Sequence, residues 1–139
     1  MATPSKQGGC LCGKIRIEYE GDSSPVALCH CTDCRKVSGS AYSTNILVPS
    51  ATLKVVSGTP KIFTITADTG RPITSHFCGD CGTTLWRDGP GLGDRCALKA
   101  GTLDDPNAIN ETKPSLEFFV PRRANWIPET PGAAQLVTH

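Results

Sequence analysis

Residues 14–20 read KIRIEYE, with charged and apolar side chains taking turns. Ile15, Ile17 and Tyr19 fall on one side of an extended chain, and Lys14, Arg16, Glu18 and Glu20 on the other. A period of two marks a strand with one buried face. LKVVSGTPKIFTIT at 53–66 predicts two strands joined by a turn at Ser57-Gly58-Thr59-Pro60. AYSTNILV (41–48), RPITSHF (71–77), TTLWRD (83–88), DRCALKAG (94–101) and SLEFFVP (115–121) are further strand segments. Helical periods are nearly absent. The segment from Thr32 to Val37 is expected to form one turn or a short helix, with Thr32 as its N-cap. GPGLGD at 89–94 reads as a loop, and no repeat or long linker divides the chain. The pattern predicts one all-β domain over 1–139, with a core from about 8 to 127 and loose ends at 1–7 and 128–139.

Composition narrows the function classes. The chain has 139 residues, enough for an ordinary hydrophobic core without disulfides. The 14 glycines and 11 prolines call for many turns. The 14 basic and 13 acidic residues leave a net charge of +1, so no bulk attraction to nucleic acid or an anionic membrane is expected. The first residues, MATPSKQGG, carry neither an apolar core nor an arginine-rich amphipathic stretch, and a cytoplasmic location is expected. No apolar run is long enough to span a bilayer. The sequence sets no oligomeric state.

The eight cysteines change the picture most. In a reducing compartment they read as metal ligands rather than disulfides. Cys10 and Cys12 lie in GGCLCG, and Cys78 and Cys81 in FCGDCG. Each short spacing can aim two sulfurs at one point, and the neighbouring glycines permit tight turns. Together these four thiolates make a closed, structural zinc site. Cys29, Cys31 and Cys34 lie in CHCTDC and come from a single loop. Three protein ligands with one position left open is the arrangement of catalytic zinc. The alternative is a second closed site completed by His30, His76 or Cys96. His30 lies between two ligands, so its side chain is expected to point away from their shared metal. Cys96 alternates with Leu98 and reads as a buried thiol.

These motifs, GGCLCGKI, CHCTDCRKVSGSAYST, FCGDCGTTLW and ALKAGTLDDP, resemble the glutathione-dependent formaldehyde-activating enzyme family, which includes centromere-protein-V-like domains. The resemblance runs from about Gly8 to Trp126. It implies a β-tent zinc fold with short helical turns. It also implies a structural zinc on Cys10, Cys12, Cys78 and Cys81 and a catalytic zinc on Cys29, Cys31 and Cys34. The reaction it implies joins glutathione to formaldehyde as S-hydroxymethylglutathione and belongs to the carbon–sulfur lyases.

Physical chemistry fits that reading. Three thiolates on Zn²⁺ leave a net charge of about −1, a poor centre for splitting water and a good one for a soft thiol. A free thiol has a pKa near ~8.5, so coordination supplies thiolate at neutral pH. Glutathione carries two carboxylates, and Arg35, Lys36 and Arg71 are candidate clamps, with Ser38 and Ser40 as hydrogen-bond donors. His30 and Asp33 are the candidates in sequence for moving the proton on oxygen. His76 is expected to pack or hydrogen-bond near the Cys78 turn, and Trp86 and Trp126 to line core or pocket. Asp104-Asp105-Pro106 reads as a turn. Three classes follow: a lyase on thiol adducts of a small aldehyde or related electrophile, a zinc-stabilised interaction module without chemistry, and a related zinc enzyme with another small-molecule substrate.

Overall fold

The alternating segments become strands, and the strands sort into two sheets. The structure, a computed structural model, describes residues 5–20 and 24–139. In chain order the strands are β1 (Ser5–Gly9), β2 (Arg16–Glu20), β3 (Val26–Cys29), β4 (Ser43–Pro49), β5 (Lys54–Ser57), β6 (Lys61–Thr66), β7 (Pro72–Phe77), β8 (Thr84–Asp88), β9 (Arg95–Lys99), β10 (Leu116–Phe118) and β11 (Ala134–Gln135). Two short helices, α1 (Thr32–Ser38) and α2 (Ala108–Glu111), interrupt them. The architecture is all-β. No helix among the described residues is long and apolar enough to cross a membrane.

The smaller sheet runs β1-β2-β5 and is antiparallel throughout. The larger runs β11-β10-β3-β4-β9-β8-β7-β6. Its pairings are antiparallel except that β10 lies parallel to both β3 and β11. Register then decides which side chains share a face. Val26, Ile46, Leu98 and Trp86 lie opposite one another in a row across four strands. They pack with Ile15, Ile17 and Tyr19 to form the core between the sheets. Ile17 and Leu98 are fully buried there, and each such side chain contributes roughly 1.5–3 kcal/mol by leaving water. The opposite face of the larger sheet carries Ala27, Leu47 and Ala97, packed against Leu92, Leu116 and Phe118. That second face is the floor of the site described below.

Three expectations need correction. The chain ends that the sequence suggests are loose are partly built into sheets: Ser5 to Gln7 belong to β1, and Ala134–Gln135 pairs with Leu116 and Glu117. Residues 1–4 of the expected loose N-terminus lie outside the described residues. The two strands of 53–66 form as expected, and they go to different sheets: β5 joins β2, and β6 joins β7. Gly58 explains the divergence. It has φ +79°, and a Cβ there would lie 2.4 Å from the Lys14 carbonyl oxygen, so the chain is pressed against the first sheet as it crosses to the second. The N-cap of α1 is Cys31 rather than Thr32: the Cys31 Sγ accepts from the Cys34 amide at 3.3 Å. Trp126 is exposed and lines neither core nor cleft, whereas Trp86 is buried as expected.

Candidate functional site

Two tight turns build the first cysteine cluster. After Cys10 the chain turns back, with the Gly13 amide donating to the Cys10 carbonyl and the Ile15 amide to its Sγ. After Cys78 the Gly82 amide donates to the Cys78 carbonyl and the Cys81 amide to its Sγ. Gly13 and Gly82 have φ of +83° and +81°, a region that a side chain disfavours, so glycine follows each pair for the same reason. The four sulfurs of Cys10, Cys12, Cys78 and Cys81 lie within 4.8 Å of one another. The Thr83 hydroxyl and amide hold Cys81 down at about 5. Cys12 benefits first from the Lys14 amide, yet burial and the neighbouring thiols push it up to about 11.

The second cluster sits where β3 runs into α1. Cys29 is the last residue of β3, Cys31 caps the helix and Cys34 lies in its first turn, so strand, cap and helix converge three sulfurs within 4.8 Å. Among the described residues no histidine, carboxylate or further cysteine joins that group at the same spacing. His30 is fully buried and points elsewhere: its Nε2 lies 2.7 Å from Glu117 Oε1. His76 Nε2 lies 3.0 Å from Asp88 Oδ1, and its ring stacks on Trp86. Cys96 faces the core, and burial pushes its thiol up to about 11.

The donor sets suit a soft divalent metal. In both clusters the sulfurs crowd one another, and in the triplet their charges cannot coexist without a cation. Hydrogen bonding with Cys31 and Cys34, and then burial, raises Cys29 far above the usual thiol range. The same bonds, from Cys29 first, hold Cys34 down to about 2. A bound cation would let all three ionise together. The four-sulfur cluster fits a closed structural zinc and the three-sulfur cluster an open one.

The triplet opens into a cleft on the second face of the larger sheet. The cleft is partly open to solvent, and its lining is mostly apolar. Its floor comes from β4, β9 and β8, which supply Asn45, Leu47, Ala97, Lys99 and Arg87. Segments 67–73 and 89–92 form one wall, and Phe118, Phe119 and His139 form another. Lys99 Nζ donates to Asn45 Oδ1 at 2.6 Å. Burial pushes the Lys99 ammonium below the usual lysine range, the Cys34 thiolate pulls it back, and Arg87 adds to the push.

Of the residues singled out as contacts for glutathione, Arg71 lines this cleft, and so does Asp33. Arg35, Lys36, Ser38 and Ser40 do not. The Arg35 guanidinium donates to the Arg122 carbonyl, and the Ser38 hydroxyl to the Cys34 and Tyr42 carbonyls. Both side chains hold α1 in place instead of facing the cleft. Asp104 pairs with Arg16, and Asp105 Oδ1 accepts from the Asn107 amide, as turn residues do. Sequence reading passed over Arg87, Lys99 and Glu117. Each sits in a strand at a position where a charge reads as solvated, and only the register shows that these positions are covered.

Comparison with known proteins adds to this geometry. A family model described as "Glutathione-dependent formaldehyde-activating enzyme" matches residues 5–122. A protein of Emericella nidulans, named as a putative glutathione-dependent formaldehyde-activating enzyme, is 31% identical over 77 residues, which are 55% of this chain and 38% of that protein. The match thus spans well under half of the relative. A Rhodobacter sphaeroides protein of known crystal structure superposes with a TM-score of 0.60 at 21% identity, covering 75% of this chain and 93% of that one. That likeness is one of fold.

Proposed function

The chain belongs to the glutathione-dependent formaldehyde-activating enzyme family, and from that premise we infer that it is a zinc-dependent carbon–sulfur lyase acting on glutathione and a small aldehyde. One observation carries the reading beyond the family name. Cys29, Cys31 and Cys34 converge without a fourth protein ligand among the described residues, at the end of a cleft open to solvent. A zinc held there would take up a thiol as thiolate at neutral pH.

The protein supplies the rest. The cleft would hold sulfur and carbon together against a mostly apolar lining, an advantage of proximity. A C–S bond forms as the carbonyl π pair moves onto oxygen. The proton lost by the thiol ends on that oxygen, giving the S-hydroxymethyl product. The reverse step breaks the same bond and returns aldehyde and thiol. His30 is sealed away with Glu117, so it is not placed to handle that proton. Asp33 and Lys99 do face the cleft. The expected setting is cytoplasmic, where glutathione is abundant.

Cobalt in place of zinc gives the test. Glutathione should add a thiolate-to-metal absorption band in the wild type and none in Cys34→Ser protein. Proton NMR of a glutathione and formaldehyde mixture should show faster exchange with the hemithioacetal when enzyme is present. An unchanged cobalt spectrum at saturating thiol, with no faster exchange, would leave the zinc-stabilised interaction module as the better reading.

A further inference from the structure

Arg87 is out of keeping with its surroundings. It retains only 4% of its exposure, yet among the described residues it makes no ion pair. One hydrogen bond holds it, from Nε to Ser75 Oγ at 3.0 Å. Its terminal nitrogens have no partner among the described residues. A guanidinium has five N–H donors in a planar fork, and the terminal nitrogens of Arg87, left without a protein partner among the described residues, face the cleft. A carboxylate ligand would complete the fork. The carboxylates nearby do not: Asp88 faces His76 and Trp86, Asp68 pairs with Arg122, and Asp33, which also lines the cleft, makes no ion pair with Arg87.

The register shows where the fork sits. Arg87 lies opposite Ala97 on β9, and Lys99 is the next residue on that face of β9. Diagonal neighbours of this kind stand roughly 7–8 Å apart. Ala97 between them leaves space above the floor, since its side chain ends at Cβ. Lys99 lies opposite Asn45, and Cys29 lies opposite Ser43, two residues before Asn45 on the same face. The face therefore runs from the cysteine triplet past Lys99 to Arg87. Strands are ~4.8 Å apart and rise ~3.3 Å per residue, so three steps across the sheet and the four-residue offset from Ser43 to Leu47 separate the backbones of Cys29 and Arg87 by roughly 20 Å.

We propose that Arg87, with Lys99 beside it, forms a carboxylate-binding subsite on the cleft floor that receives a carboxylate of the thiol substrate. The span favours the thiol over the electrophile. A peptide whose sulfur lies at the triplet can reach Arg87 with a terminal carboxylate, whereas a two-carbon aldehyde acid at the triplet would stop near Lys99. Ser75 presents the guanidinium by its Nε and leaves the two-pronged end free, the geometry suited to bidentate carboxylate recognition. This inference rests on the proposed thiol chemistry only for the identity of the ligand; the subsite itself needs no turnover.

S-methylglutathione separates the two ideas, because it keeps both carboxylates and has no free thiol. Calorimetry on zinc-loaded protein should show binding of S-methylglutathione and at least tenfold weaker binding of its dimethyl ester. Arg87→Met should weaken S-methylglutathione by about tenfold while leaving the dimethyl ester unaffected, and Arg87→Lys should restore part of the loss. Zinc content should be unchanged in both variants. If Arg87→Met does not fold, the comparison of acid with ester on the wild type still decides. Equal affinity for acid and ester, or equal affinity in wild type and Arg87→Met, would overturn the subsite. Glyoxylate tests the other source: Arg87-dependent binding of glyoxylate, without such dependence for S-methylglutathione, would overturn the assignment to the thiol. A protein that binds S-methylglutathione through Arg87 and yet does not speed hemithioacetal exchange would retain the subsite and lose the lyase reading.

Discussion

At the scale of single residues, the most heavily committed side chain outside the cysteines is Glu117. It is fully buried on β10 and accepts from Gln135 Nε2 at 2.7 Å and from the Thr130 amide at 2.9 Å, while its other oxygen meets His30. Burial alone would raise its pKa, but these bonds, from Gln135 first, and the charge of Arg123 hold it down to about 2. The carboxylate thus ties the cysteine loop to the C-terminal segment. Glu117→Gln removes the charge and forces one partner to face the wrong group. Removing one member of a buried pair costs roughly 3–5 kcal/mol, and urea unfolding at pH 7 should show a loss of that order. The pH dependence follows from the lowered pKa. As pH falls below the ordinary carboxylate range, the unfolded chain takes up the proton first and folding loses this contribution. The gap between wild type and Glu117→Gln should therefore narrow from about pH 4.5 to about pH 2. A gap that holds constant over that window would refute the charge-based account. Sequence shows that His30 is set between two cysteines and leads one to expect it turned away from them, but not what it turns toward. Glu117 follows Leu116 in an apolar strand and reads there as a charge facing water.

At the scale of elements, the two cysteine clusters differ in what they join. The four-sulfur cluster links the turn before β2 to the turn between β7 and β8, so it bridges the two sheets. The triplet lies wholly at the junction of β3 and α1. Structural zinc contributes an apparent ~10–16 kcal/mol in zinc-finger peptides, against a typical domain stability of ~5–15 kcal/mol. Cys81→Ser should therefore give insoluble or grossly destabilised protein. Cys34→Ser should give a folded domain that has lost about one zinc and its activity. Thermal melts and metal content of the two variants check this, and matching melts with equal metal would erase the distinction. β2, which alternates strictly, and β9, an apolar run between two charges, were legible from the sequence. β11 was not, because two residues carry no period and are held by the backbone of β10. β1 was not either, since SKQGG has no apolar face of its own and gains order by pairing with β2.

For the whole molecule, seven sulfurs in a four-plus-three division predict two zinc ions per chain. Elemental analysis of protein purified without chelator should return that value; a reproducible value near one would mean that the triplet does not retain its metal. The all-β class and the short cysteine pairs and triplet could be read from period and spacing, because both are local, whereas the meeting of Cys10 and Cys12 with Cys78 and Cys81 is set by the fold. The cleft could not, since it arises where loops 67–73 and 89–92 cover a strand face whose charges, in sequence, look outward. The same separation of local from distant has a consequence for synthesis. Cys29, Cys31 and Cys34 leave the ribosome together, whereas Cys12 meets Cys78 across 66 residues. At ~5–20 residues per second, roughly 2–9 s pass between the emergence of Cys34 and that of Cys81. During that interval five thiols are present, and a metal ion needs only four. A nascent chain that meets zinc early can close the triplet with Cys10 or Cys12, a wrong partnership that must be exchanged once Cys78 and Cys81 appear. Zinc supplied after the chain is complete should therefore give a higher yield of correctly metallated protein than zinc present throughout translation.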